Sequence, residues 1–177
     1  MDLLYGRQLA QMTTPPPGPN SRRLATQLRR YESRNITCIN DSFPIFWSRA
    51  GGSNVTDVDQ NVYVDMTAAF GVAAAGHSNP RVADAVAQQA QRLFHGMGDV
   101  HPTGNKVALT KMLCDITPGD EPKRVILATT GSEAVEAALK TAAIATGKPG
   151  VICFTGAYHG LTYGALAVTD RLHFREP

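Results

Sequence analysis

The chain has 177 residues, 43% of them apolar and 18% charged, with a formal charge of +2. That is enough for one domain with a core, and the scattered basic residues argue against a nucleic-acid or membrane-surface partner. No apolar run approaches the ~18 residues of a membrane span, no secretion signal is read at the start, and Cys38, Cys114 and Cys153 lie outside any CxxC. Reduced thiols in a cytoplasmic protein are expected, with no disulfide framework and no metal site.

The first twenty residues end in Thr13-Thr14-Pro15-Pro16-Pro17-Gly18-Pro19-Asn20, which reads as an extended, flexible arm. Ser21 is placed to cap a helix with Leu24, Leu28 and Tyr31 on one face. The basic residues Arg22, Arg23, Arg29 and Arg30 are taken as its solvated side. Asn-x-Ser/Thr triplets at Asn35, Asn40 and Asn54 are read as chance matches. From Phe46 to Met66 the pattern turns to period two. Residues 54–58 and 61–65 form a hairpin across Asp59-Gln60, where Gln60 has to accept a positive φ at a surface turn.

Residues 70–77 are small and apolar, and Asn79-Pro80 then opens a helix carrying Val82, Ala83, Val86, Ala90 and Leu93 along one stripe. A glycine-containing loop over 96–102 leads to a helix from about Gly104 to Asp115, stopped by Pro118-Gly119. Buried strands are expected over 124–128 and 151–154, with a helix over 131–146 between them and Gly147 as its C-cap. A strand-helix-strand unit belongs to a parallel sheet covered by helices, so the class is α/β. Two such strands do not complete a sheet, and the chain reads as the N-terminal part of a larger protein.

Thr130-Gly131-Ser132-Glu133 fits a capping box, Thr130 being the N-cap and Glu133 folding back. The amides of Gly131 and Ser132 then stay free at the positive end of a helix, where a phosphate binds well, and Gly131 leaves room for it. Tyr158 follows the second strand on a loop. No G-x-x-x-x-G-K-[ST], G-x-G-x-x-G or G-x-S-x-G occurs. Glu136 and Lys140 form an i,i+4 surface pair. The histidines His77, His95, His101, His159 and His173 show no metal-ligand spacing and are read as structural or surface residues.

GSEAVEAALK (131–140), ATGKPGVICF (145–154) and GAYHGLTYGAL (156–166) resemble the phosphate-loop helix, second strand and aromatic loop of the class III aminotransferases. FWSRAGGSNVTDVDQNVYVDM (46–66) and AAFGVAAAGHSNPRVADAVAQQ (68–89) resemble the family's N-terminal hairpin and the loop and helix after it. The resemblance covers about Pro44 to Thr169. It implies the N-terminal part of a fold-type I enzyme dependent on pyridoxal 5'-phosphate: a flexible arm over 1–20, part of the small domain over 21–103, and the start of the large cofactor domain over 104–177.

By the same resemblance, Gly131 and Ser132 hold the cofactor phosphate, Tyr158 stacks on its ring and His159 supports that contact. Phe70, Gly71 and Val72 line the substrate pocket, with Trp47 near its mouth. Leu161 takes the place of an arginine that grips a substrate carboxylate in members acting on 4-aminobutyrate or ornithine. An aliphatic side chain makes no such clamp, which favours amines, diamines or differently held ω-amino acids as donors. The family's cofactor-anchoring lysine and ring-nitrogen aspartate match nothing here and are expected beyond Pro177, so no catalytic residue is assigned in this chain. The resemblance implies a homodimeric transaminase passing an amino group from a donor to a keto acid. A sister lyase, decarboxylase or aminomutase, or a non-catalytic truncated product, are the alternatives.

Overall fold

Small polar side chains, rather than a greasy core, organise the amino-terminal half. The computed structural model describes residues 6–34 and 36–176; the first five residues of the expected arm, the Asn35 triplet and Pro177 lie outside them. The chain divides into two compact units, Met1–His95 and Gly96–Pro177.

In the first unit, helix α1 (Pro19–Tyr31) begins with Pro19 in its first turn and Gly18 as N-cap. Ser21 is therefore not the cap. The Asp59 carboxylate takes the Asn20 and Ser21 amides at 2.8 and 2.9 Å, so a loop residue supplies what a local cap would have. A β-carbon on Gly18 would lie 2.3 Å from Asp59 Cγ, so only glycine admits that carboxylate. Ser21 and Ala25 form the buried face of α1. Tyr31, expected on that face, is 78% exposed beneath the Arg30 guanidinium.

Strands β1 (Trp47–Gly51), β2 (Asn54–Asp57) and β3 (Val62–Val64) form one antiparallel sheet in that order. A bulge between Trp47 and Arg49 leaves the Ser48 hydroxyl donating to the Thr56 and Asp57 carbonyls. Thr56 pairs with Val62 and the Asp57 amide donates to the Asn61 carbonyl, so the turn is the loop 58–60 rather than a two-residue hairpin. Gln60 takes φ +66°, the left-handed residue that closes a loop of this length. Asp59 beside it is buried, not at the surface.

The buried Asn54 and Asn61 act as clamps for the arm. Asn54 Oδ1 accepts from the Gly6 and Gln8 amides, and Asn61 Oδ1 from those of Thr13 and Thr14. Gln11 exchanges both backbone bonds with Val62, lengthening the ladder. Helix α2 (Pro80–Arg92) starts as expected, with Asn79 Oδ1 accepting from the Arg81 and Val82 amides.

In the second unit, α3 (Gly104–Ile116) is capped by Thr103. Helix α4 (Gly131–Thr146) has Thr130 as N-cap and ends at Gly147 with φ +67°. The short helices α5 (Tyr163–Ala167) and α6 (Leu172–Arg175) follow. Residues 124–128 and 151–154 are not strands: among the described residues neither has a ladder partner, and Ile152 and Phe154 are 93% and 80% exposed. Apolar β-branched sequence alone does not make a strand, because the ladder needs a neighbour. Among the described residues of this unit, Ala165 is the one apolar side chain that is fully buried.

Candidate functional site

The start of α4 is built from its own first turn and the loop that follows 151–154. Thr130 Oγ1 accepts from the Glu133 amide at 3.1 Å. The Glu133 carboxylate reaches one residue further back than a capping box requires, accepting chiefly from the Thr129 hydroxyl and amide. Those two Thr129 donors hold its carboxyl below the usual carboxylate range. The charge is drawn to the side of the turn, and the Gly131 and Ser132 amides have no partner among the described residues. Nothing lies within 4 Å of where a Gly131 β-carbon would stand, so there is room beside that residue.

Gly160 and Thr162 close against this turn. A β-carbon on Gly160 would fall 2.4 Å from Ser132 Oγ, and its φ of +127° is glycine's territory. Ser132 Oγ accepts from the Thr162 amide at 3.2 Å and shares a 2.7 Å bond with the Thr162 hydroxyl. Leu161 lies between these contacts, 51% exposed. Tyr158 stands two residues before Gly160, half-exposed, with its ring centroid 5.5 Å from that of Phe174 on α6. His159 is exposed and held by its backbone, its amide donating to Thr169 Oγ1 at 3.0 Å. The structure thus gathers Gly131, Ser132, Tyr158, His159 and Leu161 in one unit.

Several residues that hold this arrangement carry no sequence signal. The buried Thr169 hydroxyl donates into a pair of carbonyls, those of Gly160 and Ala165. Asp170 accepts from the Gly156 amide and donates its own amide to Ala157. Glu136, expected as half of a surface pair with Lys140, instead caps α5 by accepting from the Gly164 and Ala165 amides at 2.7 and 3.1 Å. The Thr162 hydroxyl, with these amides, keeps the Glu136 carboxyl low; the Lys140 charge contributes least. A lone threonine or a glutamate on a helix looks the same in sequence whether or not a distant loop returns to it.

The other expected site residues belong to the first unit. The loop 65–77 carries Phe70, Gly71 and Val72 at its crown, with Phe70 97% exposed. Its ends meet through Asp65 Oδ2 and His77 Nε2 at 2.7 Å, side chains 7% and 12% exposed. Trp47 packs edge-on against the His77 ring, centroids 5.7 Å apart. Trp47 therefore stands at the base of the loop bearing the other residues expected from sequence to line a pocket. His77, read from sequence as an ordinary histidine, turns out to tie that base. Beside Val72 and His77 lies a cleft of about 310 Å³, lined also by Ala73, Ala75, Val82 and Ala83.

A family model described as Aminotransferase class-III matches residues 37–175. The sequence is 40% identical to a 4-aminobutyrate aminotransferase of Mycobacterium tuberculosis over 93% of this chain and 36% of the relative. It is 38% identical to the 5-aminovalerate aminotransferase DavT of Pseudomonas aeruginosa over 82% of this chain and 34% of the relative. The fold is similar to that of taurine:2-oxoglutarate aminotransferase from Bifidobacterium kashiwanohense, solved with PLP and glutamate. That match has a TM-score of 0.76 at 26% identity, over 88% of this chain and 34% of that one. The chain spans about a third of the length of the relatives it matches.

Proposed function

The chain belongs to the class III aminotransferases, and on that premise we propose that it supplies the phosphate cradle, ring platform and a donor-pocket wall of a pyridoxal phosphate-dependent transaminase. The donor in this reading is an amine or ω-amino acid and the acceptor a keto acid. The observation that carries it is the start of α4, where the Gly131 and Ser132 amides have no partner among the described residues and the Ser132 hydroxyl meets the loop that also carries Tyr158.

The residues present fit the cofactor. Free amides at a helix start suit a phosphate ester, and the Ser132 hydroxyl at the same turn is bonded to that of Thr162 at 2.7 Å. Both nearby carboxylates are engaged, Glu133 by Thr129 and Glu136 by the Thr162 hydroxyl and the Gly164 and Ala165 amides. Tyr158 offers an aromatic face, held on a loop that Thr169 and Asp170 fasten. The chemistry that pyridoxal phosphate supplies when bound is withdrawal of electrons from the carbon bearing the amino group. This chain's share is to bind and orient: the α4 amides fix the anion, Tyr158 bears on the ring, and Trp47 with Phe70, Gly71 and Val72 receives the donor. His159 supports the Tyr158 loop.

Leu161 sets the donor preference in this reading. With no guanidinium at that position the donor's far end need not be a carboxylate, even though the relatives above are named for ω-amino acids. We read the complete enzyme as a cytoplasmic homodimer, with residues 1–20 as arm, 21–103 in the small domain and 104–177 opening the large one.

The test is reconstitution of the complete enzyme with pyridoxal phosphate. Gly131→Val is expected to raise the half-saturating cofactor concentration at least about tenfold by obstructing the cradle. Tyr158→Ala is expected to raise it about 2- to 10-fold, as a stacking contact of about 0.5–1.5 kcal/mol requires. Leu161→Arg should shift the donor preference toward 4-aminobutyrate and away from uncharged-tail amines. Unchanged cofactor affinity in both Gly131→Val and Tyr158→Ala would sink the assignment.

A further inference from the structure

We propose that Asp65 and His77 are positioning residues, which clasp the loop 65–77 so that Phe70, Gly71 and Val72 present a rigid apolar wall to the donor. The inference rests on the aminotransferase reading above and concerns how its donor pocket is held.

The crown of the loop is strained. Ala68, Ala69, Phe70 and Gly71 have φ of 49°, 49°, 56° and 89° in succession. A left-handed turn costs roughly 1–2 kcal/mol for each residue bearing a β-carbon, and such strain persists only where surroundings impose it. The bonds inside the turn, from the Gly71 amide to the Thr67 carbonyl and from the Ala73 amide to the Ala68 carbonyl, are ordinary in length at 3.0 and 2.9 Å. They do not compensate, because a right-handed turn would make similar ones without the strain.

What imposes the conformation is the base. Asp65 Oδ1 accepts from the Thr67 amide and hydroxyl at 2.9 and 2.8 Å, and Oδ2 accepts from the Ala69 amide at 2.8 Å and faces His77 Nε2. One carboxylate thus grips the entry to the left-handed turn and the far end of the loop together. The backbone repeats the tie. The Asp65 amide donates to the Ser53 carbonyl, and Gly52 and His77 exchange both of their backbone bonds. The Trp47 ring covers the outer edge of the imidazole. His77 and Val72 also border the 310 Å³ cleft, so loosening the clasp would change that space as well as the crown.

The chain contains one tryptophan, Trp47, so its emission reads the clasp directly. In the full chain, His77→Phe keeps a ring but removes the bond to Asp65. It is expected to speed exchange of the Ala69, Gly71 and Ala73 amides about tenfold or more while leaving the Val62 amide in the sheet unchanged. The same substitution should shift Trp47 emission and its quenching by acrylamide. His77→Gln, which can still offer an N–H to Asp65, should restore protection to within about threefold. In the holoenzyme, His77→Phe is expected to raise the KM for benzylamine about tenfold with kcat within about twofold, and to leave the half-saturating cofactor concentration unchanged.

Unaltered exchange at 69–73 in His77→Phe would overturn the clasp. Faster exchange with an unmoved benzylamine KM would overturn its role in positioning the wall. If the substitution unfolds the sheet, so that Val62 loses protection too, Thr67→Val decides: loss of one Asp65 ligand should loosen 69–73 alone, and no local loosening overturns the proposal. A holoenzyme that transaminates no amine at all would instead remove the functional reading, while the exchange and emission results would still report on the clasp.

Discussion

Asp59 decides more of the first unit than any apolar residue in it. Burial works against its charge, yet the Ser21 hydroxyl and the Ser21 and Asn20 amides hold its carboxyl below the usual range. The bond from His77, followed by those from Thr67, does the same for Asp65. Burial and then Asp57 push the Tyr63 phenol the other way, to about 12. A carboxyl depressed by folding binds its proton more readily when unfolded. Its stabilisation is therefore complete above the ordinary carboxylate value of about 3.9 and is lost only as pH falls through the depressed one. First-unit stability in denaturant titration should thus lose the contribution of Asp59 and Asp65 only below about pH 4. Asp59→Ala is expected to lower first-unit stability by about 1 kcal/mol in denaturant titration followed at Trp47. A first-unit stability that does not fall below about pH 4 would contradict this account. None of this was legible in the sequence: Asp59 looks like a turn residue, and the helix it caps lies some forty positions away.

At the scale of elements, what the sequence discloses is what local chemistry fixes. Asn79-Pro80 and Thr130 start their helices where their short polar side chains meet their own first turns, and Gly147 stops α4 because only a left-handed residue fits there. The turn that opens α4 could be named beforehand because a cap and a glycine are local signals. Pairing is another matter, because a ladder joins segments far apart. Residues 124–128 and 151–154 have strand composition without strand neighbours. Glu136 gives a test at this scale. Since its carboxylate is the cap of α5, Glu136→Ala should speed exchange of the Gly164 and Ala165 amides several-fold, and Lys140→Ala should not. Equal effects from the two substitutions would restore the surface-pair reading.

Considered whole, the chain places its order unevenly. The first unit carries a sheet, a threaded arm and buried polar clamps; the second has helices with apolar faces in the open, such as Val107, Met112 and Ile116 on α3. Cooperative melting needs a shared core, and Ala165 alone does not make one. Heating the full chain should give a sigmoidal loss of Trp47 signal from the first unit but a gradual loss of helical ellipticity from the second. A single sharp transition in both would refute this. The bare stretches at 124–128 and 151–154 also bear on handling. Unclaimed tapes of valine, isoleucine and phenylalanine invite any similar tape they meet, another molecule's included. The chain should therefore precipitate more readily as its concentration rises, and a lysine written into either tape should keep it clear in solution.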